Sequence, residues 1–345
     1  VTAAVVLFCG AGGSSLGLER AGFTTIGFDH WPPAVWVHRA ALMEAHVHDL
    51  ADDPNALFSV ASVLDERIPA TPMMWASPPC QPFSTAGSGE GDDDERDGWP
   101  WTLRLVASKR PQVLIAENVP GMANRTHAGY LTSIIDALHA LGYGVRWRIL
   151  NAADYGVPQT RRRLFIVARR DGGTITWPEP THAECDSSLL PWVTMAEALG
   201  WTGAVREARG AGMIERHGDR TPTPVSSPSP TITAHPDRLR RVGWQLDRRA
   251  IYVDGEPTIR LVDCDTEPAP TVTGTALAGV WTITHPQTSD ILRIEPREAG
   301  ILQGFPADYP WDVAGSRSAQ FRAIGNAVPP IMAQVLAEAN RPVTS

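Results

Sequence analysis

Cys80 lies in the run Ser77-Pro78-Pro79-Cys80-Gln81-Pro82-Phe83-Ser84, directly after the apolar stretch Met73–Ala76. Proline fixes φ and pushes the residue before it toward extended backbone. The thiol is therefore delivered stiffly at the end of a predicted strand, which suits a nucleophile better than a packing cysteine. Glu117 closes another apolar run, Val113–Ala116, in the sequence Glu117-Asn118-Val119-Pro120-Gly121. Burial at that place would raise its carboxyl pKa and let it donate a proton. Arg161, Arg162 and Arg163 open a third apolar run. Period-two alternation puts Arg161 and Arg163 on one face, so one or both can address the same pocket. A nucleophile, an acid and a cation are the parts of covalent catalysis with charge stabilisation.

A second constellation sits near the start, Phe8-Cys9-Gly10-Ala11-Gly12-Gly13-Ser14-Ser15-Leu16-Gly17. A strand ends, glycines follow and a helix begins. Such a turn lets backbone amides approach a ligand, and a helix N-terminus favours an anionic group. The spacing GxGGxxxG is not the GxGxxG of nicotinamide dinucleotide sites. A zwitterionic amino-acid tail, as in S-adenosylmethionine, fits it. Asp29 closes the next apolar run and is placed to accept hydrogen bonds from ribose hydroxyls. Asp49 follows the second helical stretch and can reach an adenine amino group. Helix capping or a solvated loop is the alternative reading of each acid taken alone.

The elements that must hold these residues alternate. Residues 1–171 run strand, helix, strand through AAVVLFC, TTIGFD, MMWAS, QVLIAEN, VRWRILNAA and RRRLFIVARR. That order predicts an α/β fold with a parallel, Rossmann-like, doubly wound sheet and an active face at the strands' carboxyl ends. Proline, threonine, serine and arginine rise over 172–290, where PSPTITA and PAPTVTG nearly repeat, so a second, smaller strand-containing domain is expected there. The α/β texture returns over 291–345 with REAGILQGFP and AIGNAVPPIMAQVLAEA. The glycine-rich acidic stretch 85–99 reads as a mobile lid beside Cys80.

The chain has 345 residues, 43% of them hydrophobic, and a net charge of -8. Disorder throughout and a coat of nucleic acid are both disfavoured, but a local basic cleft is not. Residues 206–249 hold nine arginines against five acids, a local excess of four positive charges. The four cysteines show no CxxC spacing and the ten histidines no HxxxH cluster, so neither a zinc site nor a disulfide framework is expected. A reducing, cytoplasmic setting follows, with no membrane association. The apolar run Ala3–Cys9 is too short for a signal-peptide core and has no basic flank.

The motifs FCGAGG, PPCQPFS, ENVPG, QTRRRLF, REAGILQGFP and AIGNAVPP, in this order, resemble the cytosine-C5 methyltransferase family. The resemblance covers about residues 1–170 and 291–340. It implies a DNA (cytosine-5-)-methyltransferase of bacterial or phage origin acting on double-stranded DNA, with 172–290 as target-recognition domain. It implies Cys80 as nucleophile, Glu117 at cytosine N3 and Arg163 at O2, with Arg161, Asn118, Gln81 and Ser84 as supports. It also places S-adenosylmethionine among Phe8, Gly10, Ala11, Gly12, Gly13 and Asp29. His30, Asp49, Pro79, Asn326 and Ala327 complete that implied site. A cognate restriction endonuclease is the expected partner and a monomer the expected state. The family's common acid before LF is here Val6, and Gly27 and Phe28 precede Asp29 where it often has a glutamate. A tRNA-directed relative and an inactive DNA-binding relative are the other readings. The long arginine-rich middle segment disfavours the first, and retained Cys80, Glu117 and Arg163 the second.

Overall fold

The computed structural model describes residues 1–41, 48–49, 67–79, 98–184, 188–200 and 295–343, with short strands between 204 and 292. Cys80, Gln81, Ser84, the acidic stretch up to residue 97 and most of the arginine-rich segment 206–249 lie outside the described residues. In chain order the strands are β1 (Thr2–Leu7), β2 (Phe23–Asp29), β3 (His48–Asp49), β4 (Met73–Ala76), β5 (Val113–Asn118), β6 (Gly144–Asn151), β7 (Gln159–Thr160) and β8 (Arg162–Arg169). The helices are α1 (Gly13–Arg20), α2 (Pro32–Ala41), α3 (Trp99–Lys109), α4 (Ala128–Ala140), α5 (Met195–Leu199), α6 (Pro296–Leu302), α7 (Arg317–Asn326) and α8 (Pro330–Ala339).

Two compact units form. The first comprises Val1–Asn151, Arg162–Glu179 and Val328–Ser345. Its sheet runs β3-β2-β1-β4-β5-β8-β6. Pairing is parallel from β3 through β5, but β8 is antiparallel to both β5 and β6. The expectation of a wholly parallel sheet is therefore corrected. Only the short link Ala152–Arg161 joins β6 to β8, too little for the helical crossover that parallel neighbours need. The reversal has a use: a residue at the start of β8 lies beside the carboxyl end of β5. Strand order changes direction between β1 and β4, and the loops leaving those two strands are the glycine run and Ser77-Pro78-Pro79. Ligands of open α/β sheets bind at such a switch point.

One sheet face buries Val5, Leu7, Met74, Ala76, Leu114 and Ala116 against Trp99, Leu105 and Val106 of α3 and Leu131, Ile134 and Leu138 of α4. Each of these large side chains stabilises the fold by about 1.5–3 kcal/mol through burial. Trp75 and Phe165, which alternate to the opposite face, meet edge-on at 6.3 Å. Helix α1 packs against α8 without a side chain between them. A Cβ on Gly17 would come within 2.1 Å of the Pro330 carbonyl oxygen and 2.7 Å of Ala333 Cβ. Beyond α8, the Arg341 carbonyl accepts a 2.9 Å hydrogen bond from Arg169, the last residue of β8.

The second unit comprises Ala152–Arg161 and Pro180–Ala327. This differs from the boundaries read from composition. The helical texture of α6 and α7 resembles that of the first unit, yet their buried polar partners are Gln159 and Arg161. Gln159 pairs with Ser229 and Thr160 with Pro230, so PSPTITA does contribute a strand segment. Phe305, Tyr309 and Trp311 form an aromatic cluster with ring centroids 4.7 to 4.9 Å apart. Gly300 of α6 leaves room for it, since a Cβ there would meet Trp311 Nε1 at 2.3 Å.

Candidate active site

Glu117 and Arg163 meet at the carboxyl edge of the first unit's sheet. The Arg163 Nε lies 3.0 Å from Glu117 Oε1, with side-chain exposures of 13% and 11%. The burial expected of Glu117 is present, but the carboxylate faces a guanidinium rather than an apolar wall. Burial draws the Arg163 guanidinium below its usual range, and the charge of Glu117 and its hydrogen bond oppose that draw. A buried ion pair of this kind is costly to break by removing either partner.

Asn118 links this edge to the next strand. Its Nδ2 donates to the Pro78 carbonyl at 3.3 Å, and its Oδ1 accepts from the Val119 amide at 2.8 Å. The Ser77 amide donates to the Leu7 carbonyl at 3.2 Å, and its hydroxyl accepts from Trp75 Nε1 at 3.1 Å. Gly98 closes on the same place. A Cβ there would lie 2.7 Å from Phe8 Cζ and from Pro79 Cδ. Thus Leu7 holds Ser77, and Asn118 and Gly98 hold the two prolines before Cys80.

At the glycine loop, Phe8 and Gly10 both take left-handed backbone, with φ of 55° and 53°. Gly12 does so as well, at 93°, and caps α1 with no side chain. A Cβ at Gly10 would meet nothing within 4 Å among the described residues, so there is open space at that position. Asp29, 7% exposed, holds the loop from behind. Its Oδ2 accepts from the Gly10 amide at 2.9 Å and its Oδ1 from the Trp31 amide at 2.8 Å. The His30 ring lies 3.6 Å from the same carboxylate. Asp49 is in β3, in register with Asp29. Beneath the loop, Cys9 Sγ lies 3.2 Å from His38 Nδ1, both side chains buried. Burial, then the charge of Arg39, lower the His38 pKa to about 4, against a hydrogen bond with the Gly10 backbone.

Arg161 has a different place from the one alternation predicts. Strand β8 begins at Arg162, so Arg161 precedes the strand and is not part of its alternation. Within the second unit its Nη2 donates to the Gly325 and Ala327 carbonyls, both at 3.1 Å. A cation there satisfies carbonyls that a helix C-terminus leaves open. Gln159 Nε2 donates to Gln303 Oε1 at 2.6 Å, and Gln303 Nε2 to the Ala327 carbonyl at 2.6 Å. Asn326 ends α7 and is exposed, while Ala327 is buried.

The profile of the C-5 cytosine-specific DNA methylase family matches residues 3–341. The chain belongs to that family. It is a DNA cytosine-5 methyltransferase that uses S-adenosylmethionine and acts on double-stranded DNA. It is 30% identical to the Type II methyltransferase M.AplI of Arthrospira platensis, over 96% of this chain and 83% of that one. It is 31% identical to the Type II methyltransferase M.NaeI of Lentzea aerocolonigenes, over 96% and 73% respectively. The crystal structure of a Spodoptera frugiperda DNMT2 mutant superposes with a TM-score of 0.60 at 16% identity, covering 98% of this chain and 99% of that one, a likeness of fold. The loop of this methyltransferase fits the cofactor by its own features: left-handed glycines, open space at Gly10 and a helix start with no side-chain cap. Among the described residues no cluster of His, Cys, Asp or Glu could hold a metal, and no helix is long and apolar enough to cross a membrane.

Sequence reasoning missed His38, Gly98, Gln159 and Gln303 as parts of the architecture. Gly27 was a departure from the family pattern, and its missing side chain makes room for His38. Nothing in the spacing of Gln159 and Gln303, 144 residues apart, joins them before folding.

Proposed function

We propose that this methyltransferase modifies a flipped-out cytosine through a covalent adduct of Cys80 with C6. The Glu117–Arg163 pair is the observation that carries the reading. Thiolate addition at C6 forms the S–C6 bond and drives the ring electrons toward N3 and O2. Glu117 supplies a proton or hydrogen bond at N3. Arg163 holds the Glu117 carboxylate and donates to O2. The C5 carbon is then an enamine nucleophile. S-adenosylmethionine, held at the glycine loop, would supply the methyl group to C5, its S–CH3 bond breaking as S-adenosylhomocysteine leaves. Loss of the C5 proton and rupture of the S–C6 bond restore the aromatic ring and the thiolate. A stacked cytosine hides C6, so the base must leave the duplex. Pro78 and Pro79, pinned by Asn118 and Gly98, aim the residue that follows them. Asp29 fastens the cofactor loop, with Phe8, Gly10, Ala11, Gly12, Gly13 and His30 around it. Asp49, Pro79, Asn326 and Ala327 join the site by family resemblance, and Gln81 supports the catalytic loop. Arg161 acts as a positioning residue.

The segment 172–290 is proposed to read the DNA sequence, its arginines meeting phosphate or guanine. Curated relatives named as Type II methyltransferases support a cytoplasmic modification enzyme paired with a restriction endonuclease, and we propose that it works as a monomer. The test is incubation with S-adenosylmethionine and duplex DNA or bulk tRNA, then nucleoside mass spectrometry. The expected product is 5-methyldeoxycytidine from DNA, absent with Cys80→Ala. Product from Cys80→Ala would end the covalent mechanism. Product from tRNA alone would overturn the choice of substrate.

A further inference from the structure

Cys9 and His38 form a buried polar pair that the mechanism above does not use. Three observations make it a built feature. First, the ring and the thiol are 3.2 Å apart with relative exposures of 0% for His38 and 4% for Cys9. Second, the ring occupies the space of an absent side chain. A Cβ on Gly27 would fall 2.6 Å from His38 Cε1 and 3.0 Å from Cys9 Sγ. Third, Cys9 lies between two residues of left-handed backbone, Phe8 and Gly10, and its own carbonyl accepts from the Gly12 amide at 3.0 Å. Left-handed backbone at Phe8 is disfavoured for a residue with a Cβ and persists only where the surroundings impose it. On the opposite side, the Asp29 carboxylate takes the Gly10 amide. The loop is thus held by the Asp29 side chain on the Gly10 amide and by the thiol–imidazole contact at Cys9.

We infer that His38 is a positioning residue for S-adenosylmethionine, acting through Cys9 to fix the Phe8–Gly12 loop in its donor-binding shape. His38 Nδ1 and the Cys9 thiol partner each other, while His38 Nε2 finds no partner among the described residues, so the contact with Cys9 is the side-chain interaction that fixes the ring. Gly27 belongs to the same device, because any side chain there would displace the ring. The inference rests on the assignment of the glycine loop to the methyl donor.

Calorimetric titration of S-adenosylmethionine into the full chain tests both, separately. Wild-type binding tests the assignment of the loop. A comparison of Cys9→Ala with Cys9→Ser tests the inference, because serine keeps a hydrogen-bonding group of similar size. Loss of one buried hydrogen bond that shapes the loop is expected to weaken donor binding about tenfold in Cys9→Ala. Cys9→Ser should recover most of that loss, and the double variant Cys9→Ala/His38→Ala should bind no worse than the weaker single variant. In steady state the change should fall on the KM for the donor and not on kcat. Wild-type affinity in Cys9→Ala, an equal loss in Cys9→Ser, or losses that multiply in the double variant would overturn the inference. If His38→Ala does not fold, the alanine–serine pair at Cys9 still decides.

Discussion

The two ends of the sheet's active edge are built on different principles. At the cofactor end, β1 and β2 present backbone amides and open glycines, and the side chains that matter work from behind: Asp29 on the Gly10 amide, His38 on Cys9. At the catalytic end, β5 and β8 present the side chains themselves, with Glu117 and Arg163 paired at 3.0 Å. A permanent ligand shape is served by fixed backbone. A charge that appears only during reaction is served by ions that can change partners. Substitutions at the two ends should therefore fail in different ways.

The largest effect is expected at the catalytic end. Glu117→Gln removes the acid while keeping the shape, and turnover should fall about a hundred- to ten-thousandfold with donor affinity unchanged. Arg163→Lys keeps charge but loses the planar donor set, with an expected loss of about a hundredfold in kcat. At the cofactor end the signature is in pH dependence of stability. His38 is neutral in the folded chain down to about 4, whereas an unfolded histidine takes a proton below its ordinary value of 6.5. The unfolded state binds more protons between those values, so stability falls as pH drops from about 6.5 to about 4 and the contribution levels off below. The charge of Arg39 acts in the same direction as burial, against protonation of the ring. The full span is worth ~3 kcal/mol, and His38→Gln should flatten that part of a melting-temperature profile. Arg161→Ala should lower stability by about 1.5–3 kcal/mol through the Gly325 and Ala327 carbonyls, measured by denaturant unfolding. Asp29→Asn is the mildest, keeping an acceptor for one amide and raising the donor Kd only several-fold.

What the sequence discloses follows the same division. Runs such as Val113–Ala116 announce buried strands, the glycines announce a tight turn, and Glu117 at the end of its run announces a carboxylate at the sheet's edge. These are local signals, and the structure bears them out. The direction of β8 is not local. It depends on how far Ala152–Arg161 can reach, and a strand's residues look alike in either direction. Arg161 and Arg163 show the cost of that: alternation pairs them, but β8 starts between them and sends their guanidinium groups to different partners. Asp29 was legible as an important acid, yet its carboxylate oxygens already hold Gly10 and Trp31 amides, contacts 19 and 2 residues away in sequence.

The contact between Gly17 and Pro330 also sets a clock. Helix α1, which begins at the glycine loop, rests directly on α8, more than three hundred residues later. Contacts of such long range form late in folding. At the usual pace of translation, about 5–20 residues per second, the first helix waits some 15–60 seconds for its partner to leave the ribosome. A nascent chain thus carries α1 and its glycine loop well before α8 is there to brace them.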